Sequence, residues 1–189
     1  MKTFTSELSK YDRQFLMGRY LAFETSLTYG QLLAELNREE FSFQKIQAHH
    51  ITLCFSLTPE NIQSLDHWLF MMNDIKGLDD LEFTAVGHVL ASDIEMLTVT
   101  VDKEHRYMQR NDGSIFHMTL SHEPQRSPVT SNHILMACRK TFDNFMMDDD
   151  RFTKELSIGL RWHDVEKYVR IPGKLALFNK SNKDDVTYV

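Results

Sequence analysis

Two tetrapeptides share one pattern, His-apolar-Thr-Leu: His50-Ile51-Thr52-Leu53 and His117-Met118-Thr119-Leu120. Two accidental copies in a chain of this composition are expected on the order of a few times in a thousand. On a strand, residues i and i+2 project to the same face. Each motif therefore offers an imidazole and a hydroxyl together, while Ile51, Leu53, Met118 and Leu120 face the other way. An imidazole near neutral pH serves as either proton acceptor or proton donor. Two of them can deprotonate an attacking water and protonate a leaving oxygen. Two threonine hydroxyls can hold the non-bridging oxygens of a phosphodiester, where negative charge builds up. Such chemistry requires no metal and no cofactor.

Taken singly, either histidine is an ordinary hydrogen-bonded strand residue; the matched pair with both threonines carries the argument. The remaining histidines add nothing to it. His49 is expected on the face opposite His50, and His67, His88, His105, His122, His133 and His163 have no evident partner. His117 and His122 are spaced for neither a helical nor a strand metal pair. Ser121 and Ser127 lack the setting of a nucleophile elbow. Cys54 and Cys138 are too few for a disulfide scaffold or a four-cysteine zinc site and read as buried small hydrophobes. Near the motifs, Phe41, Phe43, Tyr107 and Phe116 are candidates to stack on a base, and Arg106, Arg110 and Arg126 to meet a phosphate.

Both motifs need strands to hold them. Alternation predicts strands over 48–57, 81–90, 95–102 and 114–121, with another over 16–23. Further strands are expected around Leu156-Ile158-Leu160, 168–171 and 175–178. A helix over 27–39 turns Leu32, Leu33 and Leu36 inward. Thr58 and Pro59 open a second helix carrying Ile62, Leu65, Leu69 and Met72, with Trp68 and Ile75 beside them and Gly77 as its end. Asn111-Asp112-Gly113 marks a turn. Ser131 is a candidate cap for a helix with Ile134, Leu135, Cys138, Phe142 and Phe145 or Met146. The sum is an α+β domain, mainly antiparallel, over residues 1–180. Residues 181–189, including Lys183-Asp184-Asp185, are expected to be a flexible tail.

With 27 acidic against 21 basic residues the net charge is -6. That balance lacks the basic surface of a general binder of long nucleic acid, so long-DNA binding is not expected. A nucleotide or an RNA end, needing only a local pocket, remains a fitting substrate. No apolar run approaches the roughly 18 residues of a membrane span, and the polar N-terminus has no signal-peptide core. A cytoplasmic, monomeric enzyme without a membrane partner is expected.

Paired His-x-Thr-Leu strands resemble the hallmark of the 2H phosphoesterase superfamily. Pro128-Val129, Ser131-Asn132 and Ile134-Leu135 after the second motif, with Gly87 and Leu97-Thr98-Val99 before it, look like one branch. That branch holds the cyclic phosphodiesterase domains of fungal tRNA ligases and of vertebrate CNPase. The likeness spans roughly residues 48–136. It implies a bilobal fold, two antiparallel sheets around a central groove with helices outside. It implies His50 and His117 as the acid–base pair and Thr52 and Thr119 as phosphate ligands. In this branch a 2′,3′-cyclic phosphate is opened to a 2′-phosphate; His117 would activate water and His50 would protonate the departing 3′ oxygen. Other 2H members cleave 2′-5′ oligonucleotides or cyclic oligonucleotide signals, and the motifs alone do not choose between them. A non-catalytic nucleotide- or RNA-binding module is the rival from another class.

Overall fold

The computed structural model describes residues 2–71, 78, 81–101, 115–136, 153–156 and 160–189. In chain order the first elements are α1 (Phe4–Leu8), α2 (Arg13–Met17), β1 (Arg19–Thr25), α3 (Tyr29–Glu35), β2 (Lys45–Ile46), β3 (His50–Cys54) and α4 (Pro59–Met71). Then follow β4 (Phe83–Leu90), β5 (Ile94–Thr100), β6 (His117–His122), β7 (Thr153–Leu156), β8 (Leu160–Ile171), β9 (Gly173–Asn179) and β10 (Val186–Tyr188). Residues 130–136 are helical as well. The chain is mixed α+β with two antiparallel sheets. One sheet runs β10-β9-β1-β3, the other β2-β6-β5-β4-β8-β7.

Both sheets bury one face in a common core. Leu21, Phe23, Ile51, Leu53, Leu175 and Leu177 come from the first sheet. Phe83, Ala85, Leu97, Val99, Met118, Leu120, Val169 and Ile171 come from the second. Strand alternation places every second residue here, which is why the motif partners Ile51, Leu53, Met118 and Leu120 are buried to 1% exposure or less. The opposite faces carry smaller clusters. Val89, Ile94, Met96, Ile115 and Leu135 cover the second sheet, and Tyr20, Ala22, Ala176 and Phe178 the first.

Helix α4 matches its sequence signals. Thr58 Oγ1 accepts from Asn61 N at 3.3 Å, the N-cap bond that Pro59 prepares. Ile62 and Leu65 are buried, and Trp68 packs on Phe116 at 4.7 Å, a core role. Asp66, on the same helix, accepts from Phe4 N and Thr5 N at 2.5 and 2.9 Å and so caps α1 from outside.

Several expectations are corrected. Residues 13–17 are helix, because the Asp12 side chain accepts from Phe15 N at 2.8 Å; strand β1 starts only at Arg19. Strand β3 ends at Cys54, where Cys54 Sγ and Asn61 Nδ2 both donate to Ser56 O, so Phe55 turns outward with 56% exposure. The expected loose tail ends in β10, paired Val186↔Phe178 through Tyr188↔Ala176. Asn179 and Arg19 hold Asp185 and so close the preceding turn. Ser131 lies inside the first helical turn and not at its cap. Gly77, Met72, Ile75, Tyr107, Arg106, Arg110, His105, Asn111-Asp112-Gly113, Cys138, Phe142, Phe145, Met146 and Ile158 lie outside the described residues.

Candidate functional site

The two motifs sit on β3 and β6, one in each sheet, and these strands lie against each other. The chain itself stitches them. Strand β2 pairs with the far end of β6, Lys45↔His122 and Ile46↔Ser121. Gln47 N then donates to Leu120 O at 2.9 Å, and a turn through Ala48 and His49 leads straight into β3. His50, Thr52, His117 and Thr119 are all half-buried, on the faces turned away from the shared core.

His50 has an aromatic surround. Its ring lies 5.2 Å from Phe178, 5.7 Å from Tyr20 and 4.4 Å from His49, centroid to centroid. Its Nδ1 is shielded from solvent and has no hydrogen-bond partner among the described residues. Burial pushes its pKa down to about 3, and the charges of His49, Lys183 and His117 push the same way. The imidazole is neutral at physiological pH. His49, expected on the opposite face, belongs to the turn and sets its ring against His50 at a tilt of 59°, because strand alternation starts only at His50. Burial, with the Lys183 charge next, lowers its pKa too.

Tyr20 is stacked between Phe178 at 5.4 Å and Phe55 at 5.9 Å, and burial raises its phenol to about 12, so it stays protonated. Lys180 Nζ lies 5.0 Å from the Phe55 ring centroid, within cation–π range. None of Tyr20, Phe55 and Phe178 stood out in the sequence. The β1–β9 pairing that brings Tyr20 opposite Phe178 joins segments far apart in the chain. Phe41 and Phe116, candidates for stacking, are core residues at 5% and 0% exposure, Phe41 edge-on to Tyr29. Phe43 is half-buried.

The second motif is held by polar contacts. His117 Nδ1 donates to Ile115 O at 2.8 Å, which makes Nε2 the unprotonated nitrogen of the neutral tautomer. Thr119 Oγ1 meets Ser131 Oγ at 2.8 Å. Beyond Thr119 the pleat breaks. Glu95 pairs with Ser121 and Met96 with Thr119, so Leu120 is an extra residue on β6. The bulge turns Ser121 to the other side, where its hydroxyl donates to Glu95 at 2.7 Å.

Glu95 is completely buried and takes four further contacts. Ser42 N and Oγ donate at 2.7 and 2.8 Å, Arg38 Nη1 at 2.9 Å, and His88 Nε2 lies 3.3 Å away. Burial alone would raise its pKa; the hydrogen bonds from His88, Ser121, Ser42 and Arg38 overcome that and hold it at about 2. His88, for which the sequence suggested no partner, turns its Nε2 to Glu95 at 3.3 Å, with Arg38 Nη1 3.1 Å from the same nitrogen. Asn37, at φ 53, makes the left-handed turn after α3 that delivers Arg38. Arg126 binds Asp93, Nε to Oδ2 at 2.6 Å, and so braces a loop. Among the described residues no three His, Cys, Asp or Glu side chains converge as a metal site, and no helix is long and apolar enough to cross a membrane.

No family model and no curated protein matches the chain. Among solved structures, the crystal structure of a fungal RNA kinase superposes with a TM-score of 0.47 at 13% sequence identity. The match covers 84% of this chain and 44% of that one, so the chain spans less than half the length of that protein.

Proposed function

We propose that the chain is a metal-independent phosphodiesterase of the 2H type, opening a 2′,3′-cyclic phosphate on a nucleotide or an RNA end to a 2′-phosphate. The observation that carries this reading is the meeting of β3 and β6: two His-x-Thr strands from different sheets, stitched side by side, each turning its imidazole and hydroxyl away from the core. A chain using these histidines only for packing has no need to place two matched copies on adjoining strands.

In the proposed reaction a water oxygen attacks phosphorus and the bond from phosphorus to O3′ breaks. His117 takes the proton from water. Its Nδ1–H is fixed on Ile115 O, so Nε2 presents a lone pair. His50 gives a proton to O3′. Because burial keeps His50 neutral, that proton is taken up from solvent as the substrate binds. The diester's negative charge beside the ring offsets the repulsion from His49, Lys183 and His117 and raises the imidazole's affinity for a proton. Thr52 and Thr119 hold the non-bridging oxygens. The water's proton on His117 and the spent His50 then re-equilibrate with solvent.

The test is hydrolysis of 2′,3′-cyclic AMP, and of an RNA oligomer ending in a 2′,3′-cyclic phosphate, in excess EDTA. Turnover to the 2′-phosphate that His50→Ala and His117→Ala each abolish, with both variants folded, supports the proposal. A 3′-phosphate product, or wild-type rates in both variants, refutes the mechanism. A folded wild type inert on both substrates turns the reading toward 2′-5′ or cyclic oligonucleotides, or toward a nucleotide-binding module.

A further inference from the structure

We propose that Ser131 is a positioning residue that sets the direction of the Thr119 hydroxyl; the inference rests on the phosphodiesterase reading above. The two oxygens lie 2.8 Å apart and Ser131 is completely buried. Each hydroxyl owns one proton, and one hydrogen bond joins them. If Thr119 donates to Ser131, it shows a ligand only lone pairs. If Ser131 donates to Thr119, the threonine proton is free to point outward. A non-bridging phosphate oxygen is an acceptor, so only the second arrangement serves it. Ser131 thus supplies the donor that keeps Thr119 satisfied while its proton is given to the phosphate.

Helix capping does not account for this serine. It stands in the first turn of the helical segment at 130–136, past the cap position from which a serine side chain accepts from a free backbone N–H. Its hydroxyl instead reaches across to β6. The segment is anchored for that purpose by Leu135, buried against Val89, Ile94, Met96 and Ile115. Met96 is the cross-strand partner of Thr119, so anchor and hydroxyl share one face. Packing holds Ser131 in place, and the hydrogen bond transmits that placement to the threonine.

The experiment compares wild type, Ser131→Ala, Thr119→Ala and the double variant on 2′,3′-cyclic AMP, reading kcat, KM and thermal unfolding. Ser131→Ala is expected to lower kcat/KM about 3- to 10-fold, the scale of one neutral hydrogen bond. Thr119→Ala is expected to cost on the order of 100-fold. The double variant is expected to be no slower than Thr119→Ala, because Ser131 acts through the threonine. Ser131→Cys, of similar size with a weak S–H donor, is run alongside and gives the same reading should the alanine variant fail to fold. Wild-type kinetics in folded Ser131 variants overturn the inference. So does a loss of equal factor in both Thr119 backgrounds, which assigns Ser131 to packing alone. A folded wild type that turns over no diester strikes the phosphodiesterase reading first and this inference with it; an active wild type with indifferent Ser131 variants strikes this inference alone.

Discussion

Lowering the pH from 7 to 4.5 should destabilise the protein through His50, by an amount the structure sets. In the unfolded chain this imidazole protonates around pH 6.5, and in the folded chain at about 3. Between those values the unfolded state binds the extra proton, so stability falls as pH falls. Well inside the window each pH unit removes about 1.4 kcal/mol. From pH 7 to 4.5 His50 alone therefore accounts for roughly 2.5 kcal/mol. His49 is shifted in the same direction and adds to the fall. Glu95 acts mainly below this window, since its stabilisation is lost only from about 4.5 down to about 2. Urea unfolding of wild type and His50→Gln at both pH values isolates the one residue, because glutamine is neutral throughout. The wild type should lose roughly 2.5 kcal/mol more than the variant over that interval. Parallel losses in the two proteins would refute the argument, showing that His50 titrates normally and that the aromatic surround does not desolvate it.

The same environment makes ligand binding a protonation event: adenosine 2′-phosphate binding at pH 6 should take up protons, read as a calorimetric heat that depends on the buffer's ionisation enthalpy, and His50→Gln should remove most of that uptake. Thr52→Ala should slow hydrolysis of 2′,3′-cyclic AMP on the order of 100-fold, the scale of one lost donor to the developing charge. Glu95→Gln should lower stability by about 2–3 kcal/mol in urea unfolding, less than for a fully buried pair because Arg38 is 27% exposed. Gly173→Ala should cost roughly 2–3 kcal/mol in the same assay. Its new Cβ would stand 2.0 Å from Glu24 O and 2.8 Å from the Phe23 ring, a clash the β1–β9 ladder cannot relieve without moving backbone.

Local rules made β4, β5 and β6 of the second sheet and helix α4 readable. Leu97 and Val99 alternate cleanly because β5 lies between two strands and buries one face in the main core. Thr58-Pro59 states its own cap. The motif residues were legible for the same reason, since period two alone puts His50 beside Thr52 and His117 beside Thr119. What escaped is what distant segments decide. Helix α1 is short, and beside its local Thr3–Ser6 capping box it takes two further bonds from Asp66 on α4, which no local pattern announces. Strand β10 follows a polar, charged turn and exists because β9 offers it an edge. The bulge at Leu120 reverses Ser121 against the simple alternation. His49 leans toward His50 because the turn, and not the strand, sets its direction.

The wall behind His50 has a consequence for how the protein is made. Phe178, on β9, closes over a histidine that left the ribosome much earlier, on β3. Until β9 docks on β1, Tyr20 lacks one of its two stacking neighbours and the His50 ring lacks the cover of Phe178. Pairing of β9 with β1 therefore adds to the burial that lowers the basicity of this imidazole. Strand closure and the setting of this residue's acidity are one event. A chain that has not yet paired β9 keeps the histidine of the first motif in the untuned state.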